Sequence, residues 1–193
     1  MTRATAGSTA ATADGLWDFS LAFYAQPGVA EACIGLQDEY GLDVNVVLCA
    51  LYAGLRDIDL DRHDCAGLER AVRAWRRQAV VPLRKVRRSI RPMLDAMPDP
   101  AREAYEAVKQ AELTAERAQQ ARMEQWLARR RSSAAPVSPG PSAVADSAHS
   151  SGQGTDDCCA KNLEAYLCAR RCARDAALDA HLRTLQDALR PPG

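Results

Sequence analysis

Apolar residues return every three or four positions along most of the chain, the spacing that places them on one side of an α-helix. Leu16, Phe19 and Phe23 make one such stripe, and Trp17, Leu21 and Tyr24 make a second. A helix apolar on two sides is expected to be buried. Asp14 is its expected cap and Pro27-Gly28 its end. Val29, Cys33, Leu36 and Tyr40 predict a second helix that stops at Gly41, since glycine adopts the left-handed conformation that closes helices. Asp43 is placed to cap a third, with Val44, Val47, Leu48, Leu51 and Leu55 inward. Arg56 to His63 reads as a loop, and Asp64 as the cap of a fourth helix with Leu68, Val72, Trp75 and Ala79 on one face.

Pro82 is expected to break or kink that helix, because it offers no amide hydrogen and disfavours helical geometry at Val81. Leu83, Val86 and Ile90 continue an apolar face to Pro92. Pro98-Asp99-Pro100 supplies a turn, a cap and a first-turn proline. No glycine or proline follows until after Arg131, which predicts one long helix. Its seam is expected at Ala101, Ala104, Val108, Ala111, Ala115 and Ala118.

Ser132 to Asp157 holds three prolines, three glycines and seven serines. Such a stretch buries too little apolar surface to offset its ordering entropy, so 132–157 reads as a flexible linker. Met1 to Ala13, rich in Thr, Ala and Ser, reads as a disordered tail without the apolar core of a secretory signal. Beyond the linker, 158–190 reads as a single amphipathic helix with Leu178, Leu182, Leu185 and Leu189 as its stripe. The expected fold is therefore all-α. A compact bundle of five or six helices over 14–131 ends in one long helix; a tethered, thermodynamically separable C-terminal helix follows.

Composition agrees. Thirty-seven alanines against three isoleucines and two phenylalanines favour helix over sheet. No uninterrupted apolar run reaches the roughly 18 residues of a membrane span, so no membrane association is expected. Seven cysteines, an odd number, with no export signal point to reduced thiols and the cytoplasm.

The segment LWDFSLAFYAQPGVAEACIGLQDEYGLDVNVVL, Leu16 to Leu48, resembles the opening of an uncharacterised proteobacterial family of small helical proteins. VVPLRKVRRSI and KQAELTAER, Val80 to Ile90 and Lys109 to Arg117, resemble it too. The resemblance spans roughly Leu16 to Leu127 and implies a soluble bacterial helical domain with no catalytic residue. Its matched polar positions are Asp18, Gln37, Asp38, Asp43, Asn45, Arg84, Arg87, Arg88, Glu112 and Glu116.

Charge is segregated along the chain. Asp14 to Asp64 holds ten acids and two bases, and Gly67 to Arg91 nine bases and one acid. Arg73, Arg76, Arg77, Arg84, Lys85, Arg87, Arg88 and Arg91 are thus candidates for a phosphate- or partner-binding face. The competing reading pairs them with the acidic first half of the same domain. Asp57, Asp59, Asp61, His63 and Asp64 alternate as cation ligands do. An EF-hand register starting at Asp57 fails at Arg62 and Leu68, so loop solubility and a cap explain the cluster with less. His63 and Cys65 are too little for a nucleophilic pair, and no nucleotide loop, zincin helix or nucleophile elbow occurs.

Cys158, Cys159, Cys168 and Cys172 are the one dense cysteine group and weak candidates for zinc. On a single helix Cys158 and Cys172 lie about 21 Å apart, which leaves interchain disulfides or plain packing as alternatives. No cofactor is expected. The residues point to a non-enzymatic cytoplasmic protein-interaction or accessory protein. An RNA- or ribosome-associated role through the arginines, or a thiol/metal role through the cysteines, are the alternatives.

Overall fold

The computed structural model describes residues 14–134 and 151–190. The expected N-terminal tail and most of the expected linker, 135–150, lie outside the described residues. Those described are mostly helical, with no strand among them. The helices are α1 Leu16–Tyr24, α2 Val29–Asp38, α3 Val44–Gly54, α4 Arg62–Trp75, α5 Val81–Ile90, α6 Pro100–Ala134, α7 Ser151–Arg170 and α8 Ala176–Leu189. A π turn, Arg76–Val80, joins α4 to α5, and a 3-10 segment, Arg91–Ala96, leads from α5 towards α6.

Helix α3 is the axis of the molecule, and every residue from Val44 to Gly54 is buried. Asp43 caps it, accepting a hydrogen bond from the Asn45 amide at 3.1 Å. Gly41 stands at φ 64° after α2, as the helix stop requires. Helix α4 starts earlier than its pattern indicates. Asp61 caps it, with Asp64 completing a reciprocal capping box. Asp14 does not cap α1; Gly15 takes that place without a side-chain bond, and the Leu16 amide donates to Glu124 Oε1 at 2.7 Å.

Pro82 acts through the π turn before it. Without an amide hydrogen, and with a ring that crowds the carbonyl one turn back, proline is accommodated when the preceding turn widens. The helix changes hydrogen-bond pattern there and continues.

Several expected faces are placed differently. In α6 only Ala115 of the alanine seam is buried. The inward face runs instead through Glu112, Ala115, Gln119, Gln120, Met123 and Leu127. Alanine carries too little apolar area to orient a helix against good polar partners waiting on its neighbours. The second stripe of α1 faces out, with Leu21 and Tyr24 exposed. Trp75 is 47 % exposed, its indole N–H donating to the Ala115 carbonyl at 2.8 Å. Helix α5 has no buried residue.

The C-terminal segment is two helices rather than one, and they are part of the bundle. Arg171 at φ 52° ends α7, and Asp175 caps α8 by accepting from the Leu178 amide at 2.8 Å. Helix α7 begins inside the expected linker and lies along α3 and α4, while α8 lies on α2. Cys159, Leu163, Tyr166, Leu167, Leu178, Leu182 and Leu185 join the main core. Backbone approach is close: a Cβ on Gly54 would sit 2.6 Å from Cys159 Cα. The fully buried Asn162 donates to the Ala50 and Ile58 carbonyls at 3.1 and 2.9 Å and accepts from the Leu60 amide at 2.7 Å. Cysteines and an asparagine on the buried face of α7 hide this docking from a hydrophobic pattern.

Ending the chain after Arg131 is therefore expected to lower the melting temperature by several degrees or abolish cooperative unfolding, read by circular dichroism. Asn162→Ala is expected to cost about 3 kcal/mol in urea unfolding, because it strands three buried backbone groups at roughly 1–3 kcal/mol each.

Candidate functional site

Helix α6 presents acids and amides to the interior, and each meets a partner from another element. The i, i+4 geometry stacks Glu112, Glu116 and Gln120 along one side, with Gln119 adjacent. The same geometry on α5 stacks Arg84 and Arg88, with Arg87 beside them. Arg84 Nε donates to Glu112 Oε1 at 3.0 Å, and its two terminal nitrogens reach Glu116 and Gln37. Arg87 pairs with Glu112, and Arg88 with Asp38 at 3.1 Å. One layer deeper, Asp43 Oδ2 receives Arg76 Nε at 2.9 Å and Gln119 Nε2 at 2.7 Å. Gln120 Nε2 donates to Asn45 Oδ1 at 2.7 Å, and Ser20 Oγ lies 3.2 Å from Gln120 Oε1. The Asp43 amide donates to Tyr166 Oη at 3.0 Å, whose hydroxyl donates to Glu69 Oε1 at 3.2 Å. Arg170 sits 3.3 Å from the same Glu69 oxygen.

Burying charge is tolerated only with such pairing. Desolvation pushes the Asp43 carboxyl up, against the pull of Arg76 and Gln119. Glu116 is likewise raised by burial, with Arg84 opposing. For Glu112 burial is outweighed by the bonds from Arg87 and Arg84, which hold it below the ordinary glutamate range. Tyr24 is exposed as a residue, but desolvation at its hydroxyl, which lies beside Cys33, raises the phenol.

The eight cations proposed from sequence divide into two sets. Arg76, Arg84, Arg87 and Arg88 turn to carboxylates of the same chain. Two of those acids, Asp43 and Asp38, come from the acidic first half, and two, Glu112 and Glu116, from α6. Arg73, Arg77, Lys85 and Arg91 are exposed, and no carboxylate partner for them is found among the described residues. Of the ten polar positions that carried the family resemblance, all but Asp18 belong to the paired network. Gln119, Gln120 and Tyr166 escaped sequence reasoning. The available signal was polar residues at 112, 116 and 119 in register with Met123 and Leu127, the opposite of what a core stripe usually shows.

The cysteines do not converge. Cys158 lies 3.2 Å from Asp59 Oδ1 and Cys159 lies 3.4 Å from the Leu51 carbonyl. Burial pushes each thiol up to about 12. Cys168 is exposed and Cys172 half-buried at the end of α7. Among the described residues no three His, Cys, Asp or Glu side chains group as a metal site requires. The acidic loop is occupied with structure: Asp61 and Asp64 cap α4, and Asp64 holds Arg130 of α6 at 2.6 Å. An open cleft of about 300 Å³ lies between α7 and α8. Its Arg174 is already paired with Glu164 and Asp179.

Residues 15–123 match the model of a protein family of unknown function, DUF2390. No curated protein and no solved structure matches the chain. Among the described residues no helix is long and apolar enough to cross a membrane.

Arg84→Ala leaves Glu112 and Glu116 facing each other without their shared cation. At neutral pH it is expected to cost about 3–5 kcal/mol, the usual penalty for orphaning one side of a buried pair. The deficit should shrink on acidification. Losing Arg84 lifts the Glu116 carboxyl, already raised by burial, further above its unfolded value. A group so raised destabilises the fold when ionised, and stability returns as pH falls through the folded value. Urea unfolding of parent and variant at neutral and mildly acidic pH measures this.

Proposed function

Since the chain belongs to DUF2390, a family of unknown function that brings no activity with it, we propose that it is a non-enzymatic protein-interaction or accessory protein that binds through the outer side of α4, the π turn and α5. The observation that carries this reading is α5 itself. It has no buried residue, yet Val81 and Val86 are 40 % and 46 % exposed, with Met93 and Met97 also uncovered in and just after the 3-10 segment that follows. Apolar side chains left outside on a helix held rigidly by the Arg84, Arg87 and Arg88 pairs are what an interface core uses.

The polar cluster beneath supports the same reading. Its acids and bases are engaged with one another, which suits holding α5 in place. The nucleic-acid alternative draws on the four uncommitted cations, but the other four of the eight that prompted it face carboxylates within the chain. Binding to phosphate would weaken steeply with salt.

Val81→Asp combined with Val86→Asp tests the proposal. Both positions are on the surface, so stability should change by no more than about 0.5 kcal/mol each. A stoichiometric polypeptide co-purifying with the parent should be lost from the variant. Retention of that polypeptide overturns the proposal. Co-purification of salt-removable nucleic acid in its place, read from the 260/280 absorbance ratio, favours the alternative.

A further inference from the structure

We propose that the partner element is an acidic amphipathic helix, seated along Arg73, Arg77, Val81 and Lys85; this rests on the interaction reading above and names the chemistry of its partner. The four positions are separated by four residues each, so neighbours stack along one side of the helix. At 1.5 Å per residue the row is about 18 Å long. In an uninterrupted α-helix such a row drifts around the axis, because four residues exceed one turn of 3.6. The π turn between Arg76 and Val80 holds more residues per turn and undoes part of that drift. Arg73 and Arg77 are thereby brought towards alignment with Val81 and Lys85. All four are exposed, while Leu68, Val72 and Val80 of the same helical run are buried.

Charge selects the occupant. No carboxylate partner for Arg73, Arg77 or Lys85 is found among the described residues. The one acid between Gly67 and Arg91 is Glu69, which is engaged with Tyr166 and Arg170. Among the undescribed stretches, residues 1–13 and 191–193 contain no acidic side chain, and residues 135–150 contain only Asp146. The row is therefore matched here to an acidic segment of another molecule.

Shape selects a helix. A partner with an acid at every fourth position sets its carboxylates about 6 Å apart, the spacing of Arg73 and Arg77. Apolar residues beside those acids would meet Val81, and one helix's ridge fits another's groove. A nucleic-acid strand would leave Val81 without a counterpart. It would also find no aromatic ring in the row to stack on.

The test uses the full chain and a short fluorescein-labelled helical peptide with Glu at every fourth position and Leu alongside. A peptide with Gln for Glu and a short oligouridylate are the controls, and fluorescence anisotropy is read at low and at physiological salt. The Glu peptide should bind about tenfold or more tighter than either control and weaken as salt screens the contacts. R73A/R77A/K85A should lose that difference while melting like the parent. Equal affinity for the Glu and Gln peptides, undiminished binding by the triple variant, or no binding of the Glu peptide would each overturn the proposal. Tighter binding of oligouridylate would replace it with a phosphate surface. A co-purified partner lost from the Val81→Asp/Val86→Asp variant but kept by R73A/R77A/K85A would sink this inference alone and leave the interaction reading standing.

Discussion

The carboxylate of Asp43 ties together three elements at the centre of the molecule. It caps the central helix α3, receives Arg76 from the π turn and receives Gln119 from α6. The amide of the same residue reaches Tyr166 on α7. Elements far apart in sequence thus meet at a single side chain held away from water. A buried carboxylate is costly alone, and its position at a helix N-terminus, where the backbone amides carry partial positive charge, lowers that cost. The geometry of the neighbours follows, since a shift of the π turn or of α6 would take one partner away from the charge.

A second layer of the same kind lies nearer the surface. Glu112 and Glu116 sit one turn apart on α6, and Arg84 reaches both together with Gln37. Like-charged glutamates at that spacing repel, so the shared guanidinium is what makes the arrangement stable. Arginine suits it better than lysine because its planar fork can satisfy several acceptors at once. The consequence for function is directional. These pairs fix α5 on α6 through one side and leave Val81, Lys85 and Val86 facing out. Rigidity beneath and exposure above are two results of one network.

Helices α7 and α8 extend this economy beyond the family-matched residues 15–123. Asn162 completes backbone hydrogen bonds around the loop between α3 and α4, and His181 lies against Gly35 of α2, where any larger residue would collide with its ring. Small residues on α2 and α3 are therefore matched by specific groups on the C-terminal helices. The central helix is buried on every side because those helices cover it.

What the sequence determined by itself is local. The all-α class, the caps and stops around α2 and α3, the unbroken α6 and the core stripe Leu16, Phe19 and Phe23 follow from spacing and from the chemistry of Gly, Pro and Asp, which act within one or two turns. The resemblance also singled out Arg84, Arg87, Arg88, Glu112 and Glu116 without saying what they do. Tertiary structure decided which way α6 faces, because alanine is nearly neutral and the choice fell to hydrogen bonds with α3 and α5. It decided that Trp75 and α5 stay outside, and that four of the eight candidate cations are neutralised while Arg73, Arg77, Lys85 and Arg91 are not. It also decided that α7 docks through an asparagine, a tyrosine and cysteines. Each outcome depends on a partner distant in the chain, and periodicity along one helix holds no information about that partner.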